Sequence, residues 1–223
     1  IYLDDIMVFS ENEAQHMKTL DELFKKLHEN GLAIALDKCA FGQEEINYLG
    51  YKVNANGILP QNRKVTAILN LPDPTTQKEL LRFLGAINYF RPCLKGLKKG
   101  QVYHNTADLL QPLYAVATSS LKPGRRFGTI WKESPGLRDS YEDAKTMLVN
   151  AAQLSHPDPA LPLALSTDAS QHSVGAVLEQ RNSQGIWEPL GYWSRHLGPD
   201  KLAWSTYRKE LMVAQLGLRH FLP

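Results

Sequence analysis

Asp4 and Asp5 stand side by side between two short apolar runs, Ile1 to Leu3 and Ile6 to Phe9. Runs split in this way predict a tight β-hairpin with both carboxylates at its tip. A two-residue hairpin turn ordinarily uses Asn-Gly or Gly-X, because one or both residues take positive φ. Asp-Asp meets no such need, and it holds two like charges together, a cost that a cation relieves. A hard divalent ion such as Mg2+ takes carboxylate and phosphate oxygens together. Taken alone, the pair is also what an ordinary exposed acidic turn looks like. A second pair is Asp168, at the end of a strand in Ser166-Thr167-Asp168-Ala169-Ser170, and Glu210, on a helix in Tyr207-Arg208-Lys209-Glu210-Leu211. One acid from a strand and one from a neighbouring helix can converge on metal ions that set a water against a phosphodiester. Without further context a solvated helix Glu is the ordinary reading.

Other side chains carry less. The seven histidines show no ligand spacing, and His156 beside Pro157 reads as a linker residue. Tyr48, Tyr51, Tyr89 and Phe90 have faces on which bases could stack, although the last two suit a helix core better. Trp187 and Trp193 are expected to fill the core of the last domain.

The elements that must position these residues follow from periodicity and punctuation. Ser10 with Glu13 has capping-box spacing and predicts a helix from about Glu11. Met17, Leu20, Phe24 and Leu27 form its stripe and Gly31 its stop. Leu32 to Leu36 and Ile46 to Val53 read as strands, and Asn56-Gly57 as a turn into Ile58 and Leu59. Gln61 to Asn70 reads as a helix broken by Pro72-Asp73-Pro74. Thr75 or Thr76 caps the next helix, which carries Leu80, Phe83, Leu84, Ile87 and Phe90 and ends at Pro92. Further helices are expected over 107–118 and 137–152, with a loop over 119–135. His156-Pro157-Asp158-Pro159 is a stiff linker. Strands follow at 161–166, 174–180 and 187–194, with a turn at 182–185, and then a helix over 207–222.

The chain has 223 residues, 43% hydrophobic and 22% charged, with a net charge of +2. It can bury a core and is not a disordered tail. Total charge demands no nucleic-acid partner, so any basic surface is local. The candidates are Leu94 to Lys99 and Lys122 to Arg126, each also readable as a solvated loop. Cys39 and Cys93 form no CxxC pattern, which points to a reducing compartment. No apolar stretch approaches the roughly 20 residues of a membrane span, and no signal peptide is visible. Ile1 inside an apolar run and Pro223 directly after a helix suggest cut ends.

Tyr2-Leu3-Asp4-Asp5 followed by Ile-Met-Val-Phe-Ser resembles the Y-x-D-D box of reverse transcriptases, in the form found in gypsy-like LTR retrotransposons. Tyr48-Leu49-Gly50-Tyr51 resembles that family's primer grip. Pro60 to Ile68, Pro72-Asp73-Pro74-Thr75 and Phe83-Leu84-Gly85 to Tyr89-Phe90-Arg91 resemble its thumb. Val174 to Leu178, Pro189 to Ser194 and Ser205-Thr206-Tyr207 resemble the retrotransposon ribonuclease H domain. The blocks occur in family order and span nearly the whole chain, least between Lys95 and Ser134. Departures are Ala203-Trp204, Phe90, Pro92 and the longer, more basic stretch Gly96 to Asp108.

The resemblance implies an α+β chain in three parts. Residues 1–60 would be the C-terminal part of a polymerase palm, 61–155 a helical thumb or connection, and 156–223 the N-terminal half of a ribonuclease H-like α/β fold. It implies catalytic, metal-holding roles for Asp4, Asp5, Asp168 and Glu210, with Mg2+ (or Mn2+), and nucleic-acid contacts for Tyr2, Leu49, Gly50 and Tyr51. The implied partners are an RNA template, a DNA primer, an RNA–DNA hybrid and deoxynucleoside triphosphates, in cytoplasmic particles and the nucleus, with no membrane. Asp168 and Glu210 should lie on the order of 5–8 Å apart before metal binds. Each metal site of the family also needs an Asp that this sequence does not supply, so the isolated chain is expected to be inactive. Two alternatives stay open: a retroelement-derived binding protein without catalysis, and a ribonuclease H-type hydrolase without polymerase function.

Overall fold

The computed structural model describes residues 5–99, 102–120 and 126–222. Helix α1 spans Glu13–Glu29 and is capped by Asn12, whose side chain accepts from Gln15 N. The Ser10 capping box is therefore not used. Both residues offer a side-chain oxygen, and the chain takes the later one. The Gly31 stop is correct: Gly31 (φ +71°) lies beyond the end of α1, with Gly31 N donating to His28 O and Leu32 N to Leu27 O, the paired bonds of a Schellman motif. No residue of α1 is buried. Ile6 to Phe9 and Leu32 to Ala35 form no strand, and Leu36–Lys38 is a single 3-10 turn.

The strand expected over 46–53 folds back on itself. β1 (Glu45–Tyr48) and β2 (Tyr51–Asn54) form a hairpin about Leu49-Gly50, and β3 (Gly57–Pro60) pairs with β2 to complete an antiparallel sheet. Helices α2 (Asn62–Leu69) and α3 (Gln77–Tyr89) follow. Thr76 caps α3 by accepting from Glu79 N, and the Glu79 carboxylate reaches back to Thr75 N and its hydroxyl. Pro92 opens a short 3-10 turn, Arg91–Cys93. An unanticipated hairpin of β4 (Leu97–Lys99) and β5 (Val102–His104) precedes α4 (Thr106–Thr118). The segment expected to be a loop contains α5 (Phe127–Glu133), and α6 (Pro135–Val149) follows at once.

These helices share one core. Leu80, Phe83, Leu84 and Ile87 of α3 meet Leu110 and Leu113 of α4 and Tyr141, Met147 and Leu148 of α6. Phe83 and Tyr141 lie 4.1 Å apart between ring centroids, and Tyr141 stands edge-on to Trp131. The Pro72-Asp73-Pro74 break lies across α5 and α6. Arg138 donates Nε–H to Asp73 at 3.0 Å, and Trp131 donates Nε1–H at 3.3 Å. Hydrogen bonding by Arg138 holds the Asp73 carboxyl below its usual range, aided by Trp131 and opposed by partial desolvation. A carboxylate with a depressed folded pKa adds stability above its unfolded pKa of about 3.9, lost as pH falls through the folded value. Urea midpoints of the wild-type chain should therefore fall more steeply below about pH 4 than those of Asp73→Asn. Parallel pH profiles would count against this role.

The last part has β6 (Leu163–Ala169), β7 (Ser173–Arg181) and β8 (Trp187–His196) in one antiparallel sheet, a short α7 (Pro199–Leu202) and α8 (Thr206–Phe221). Helix α8 crosses β6 and β7 closely at Gly217, where a Cβ would lie 3.1 Å from the Ala176 Cβ and 3.2 Å from the Leu165 Cδ2. Trp193 packs on the small core of Val174, Leu197 and Val213, whereas Trp187 is 43% exposed and fills no core.

The linker is more than a spacer. Leu154 and Ile58 exchange backbone bonds of 3.0 and 2.8 Å. Gln153 donates to Asn56 O, and the His156 ring bonds Asn54 O at 2.7 Å. Ser155 N donates to Pro189 O, and Gln180 Nε2 to His156 O. Residues 153–158 thus join the first sheet to the last. Arg91 adds a second tie through Ser194 O at 2.7 Å.

Candidate functional site

Tyr2 and Asp4 lie outside the described residues. Asp5 is exposed and forms a single β-bridge, and its carbonyl accepts from Tyr48 Oη at 3.2 Å. The acidic segment is thereby tied to the hairpin that resembles a primer grip. At the tip of that hairpin Leu49 (φ +47°) and Gly50 (φ +78°) are both left-handed, as a type I′ turn demands. Tyr89 Oη donates to Leu49 O, and Tyr51 Oη donates to Tyr89 O at 2.8 Å. A Cβ on Gly50 would touch the Tyr89 ring at 3.4 Å. The Tyr51 ring packs against Tyr89 and Phe90, and burial pushes its phenol well above the ordinary range.

Tyr51 therefore braces the turn rather than offering a free face. Tyr89, at 52% exposure, is the aromatic that remains accessible, whereas Phe90 is buried as expected. The signal for Tyr89 was in the sequence: it falls off the stripe made by Leu80, Phe83, Leu84 and Ile87. Gln61 N donates to Gly50 O at 2.9 Å, which fixes the start of α2 to the same turn.

At the other site, the fold brings α8 to the end of β6. Glu210 Oε1 accepts from Ala169 N at 3.2 Å, one residue beyond Asp168. Asp168 itself is exposed and pairs with Gly175 in the sheet. Ser205 caps α8 by accepting from Arg208 N, which sets where the helix begins and hence where Glu210 falls. Lys209 is 5% exposed and donates to Gln171 O and Leu202 O, both at 3.0 Å. Asp168 and Glu210 supply hard oxygens, the donor chemistry that suits Mg2+. Among the described residues, no group of three or more His, Cys, Asp or Glu is clustered as a metal centre.

A cleft of about 650 Å³ runs between α3, α4 and the outer edge of β8, lined by Arg91, Tyr114, Trp193, Arg195 and His220 among others. Trp193 and His220 stack there at 5.6 Å, and burial followed by the Arg91 charge lowers the His220 pKa. No spacing in the sequence foretold this cleft, because its walls come from five separate elements. No helix among the described residues is long and apolar enough to cross a membrane.

Residues 134–223 match the family model of the RNase H-like domain found in reverse transcriptase, and residues 1–53 match that of reverse transcriptase (RNA-dependent DNA polymerase). Fold and sequence together define a stretch in which a reverse transcriptase region is followed by an RNase H-like domain. The Tf2-3 and Tf2-7 transposon polyproteins of Schizosaccharomyces pombe are each 30% identical to it over 220 residues, 99% of this chain. The chain belongs to the reverse transcriptase and RNase H region family of retrotransposon polyproteins. It spans 15% of the length of those relatives. The fold is also that of the foamy viral protease-reverse transcriptase. The structure in complex with dsDNA has a TM-score of 0.79 and 24% identity, covering 98% of this chain and 42% of that one. The structure in complex with RNA/DNA hybrid has a TM-score of 0.80 and 24% identity, covering 99% and 28%.

Proposed function

We propose that this chain is the part of a retrotransposon polyprotein that joins the polymerase palm to the ribonuclease H fold. The three-part division at residues 1–60, 61–155 and 156–223 belongs to that reading. In the polyprotein, Asp4 and Asp5 would serve RNA-directed DNA synthesis, and Asp168 and Glu210 would serve hydrolysis of RNA in an RNA–DNA hybrid. The observation that carries the second assignment is the Glu210 carboxylate against Ala169 N, beside Asp168. These acids would hold Mg2+ (or Mn2+). When bound, such ions neutralise charge on the phosphate and lower the pKa of a water or hydroxyl. The protein's own contribution is placement. Asp168 faces solvent at the end of a rigid strand, and α8 presents Glu210 from the side. The Leu49-Gly50 turn, braced by Tyr89, would support the primer strand, with Tyr2 and Tyr51 beside it. That polypeptides of this fold have been solved with dsDNA and with an RNA/DNA hybrid supports such partners.

The 223-residue chain alone supplies two carboxylates to each site, whereas two-ion chemistry needs several ligands to fix the ions. It should therefore bind a hybrid without turning it over. Binding through Lys and Arg should weaken steeply with added salt, as counterion release requires. The test supplies the purified chain with Mg2+, primer-template and nucleotides, and separately with a labelled hybrid, across a salt series. Extension abolished by Asp4→Asn with Asp5→Asn would show that the two carboxylates suffice. Salt-independent binding, or none, would count against the nucleic-acid reading.

A further inference from the structure

We propose that Lys209 is the positioning residue that keeps Glu210 within reach of Asp168 when an ion draws Glu210 away from the backbone; this rests on the ion-holding reading above. Lysine is almost never fully buried without partners, yet Lys209 is 5% exposed and spends its ammonium on two backbone carbonyls. One of them, Gln171 O, belongs to the turn between β6 and β7. The other, Leu202 O, lies at the end of α7.

Consecutive residues of α8 thus grip the segment after Asp168 at two points. Glu210 holds Ala169 through the backbone N–H at 3.2 Å, and Lys209 holds Gln171 through the carbonyl at 3.0 Å. The two ties differ in kind. A carboxylate oxygen that turns to a cation gives up its bond to the N–H. The ammonium tie uses the carbonyls of Gln171 and Leu202, neither of which is a partner in that exchange, so it persists. Lys209 then holds the start of α8 against the turn while Glu210 changes partner. The apolar contacts of Val213 and Gly217 lie at least a turn further along the helix.

The probe is Mn2+ alone, titrated into the 15N-labelled 223-residue chain, with paramagnetic broadening read at the Ala169 and Glu210 amides. Lys209→Met should weaken the apparent affinity on the order of 10–100-fold, the usual consequence of removing a group that orients a metal ligand. Val213→Ala, which removes apolar packing from the same helix, should lower the unfolding midpoint and leave the Mn2+ affinity unchanged. A Lys209→Met chain that binds as the wild type does, or a Val213→Ala chain that loses affinity equally, overturns the inference. If the wild-type chain shows no broadening at Ala169, the ion-holding reading falls and this one with it. Should Lys209→Met fail to fold, the unmodified chain still decides: its Lys209 ammonium signal should stay protected from exchange at saturating Mg2+, which is diamagnetic and leaves the signal visible, and its exposure to exchange overturns the proposal.

Discussion

Asp168→Asn, made in a polyprotein that carries this segment, is expected to lower hydrolysis of the RNA strand of a hybrid on the order of 10²-fold or more, and to leave primer extension intact. The substitution keeps the shape of the side chain and removes its charge. Asp168 is exposed at the end of β6, so little folding energy rests on it. Hydrolysis depends on ions fixed at a set separation, and a neutral amide holds them poorly. Glu210→Gln should act in the same direction and also disturb the bond to Ala169 N. Asp5→Asn should do the converse, depressing extension while hydrolysis persists. Extension and hydrolysis measured side by side for each variant form the check. If Asp168→Asn lowers both activities equally, the separation into two acidic sites is wrong. If it lowers neither, Asp168 has no role in the chemistry.

Gly57→Ala is expected to destabilise the chain by about 3 kcal/mol or more, which for a protein of this size lowers Tm by roughly 6–12 °C. Gly57 has φ +137°, a conformation that L side chains rarely adopt, and an added Cβ would lie 2.1 Å from Leu154 O. That oxygen is backbone and is itself bonded to Ile58 N at 2.8 Å, so it cannot yield without breaking the pairing. The strain therefore reaches the whole 153–158 crossing, including the His156 bond to Asn54 O. Gly85→Ala is the control. It sits inside α3 where a Cβ meets nothing within 4 Å, and alanine there should stabilise by about 0.5–1 kcal/mol. Thermal unfolding of both variants reads the difference. Equal midpoints for Gly57→Ala and wild type would mean that the linker does not dock on β3.

The sequence by itself determined what depends on near neighbours. The stripe of Leu80, Phe83, Leu84 and Ile87 specified α3 and its buried face. Thr76 is close enough in the chain to cap Glu79 N, and Glu79 to reach back to Thr75 N. The strands of the last sheet and the turn at 182–185 followed from alternation and turn residues. The proposal of the four acids came from residue strings that survive without any knowledge of shape. Local rules failed where two local solutions were equal. Ser10 and Asn12 both offered a cap, and only Asn12 is used. Tyr48 to Tyr51 read as continuous strand until Tyr89 and Tyr51, bonded across 38 residues, held Leu49-Gly50 in a turn. Helix α5 is short and was hidden by flanking turn residues, and it forms where Phe127 and Trp131 are buried against α6. The tertiary structure alone decided that Glu210 meets the residue after Asp168, that Lys209 is buried beside it, and that the linker joins two sheets. Such contacts link positions far apart in the chain. They are set by the packing of α8 on β6 and β7, and sequence spacing holds no record of that distance.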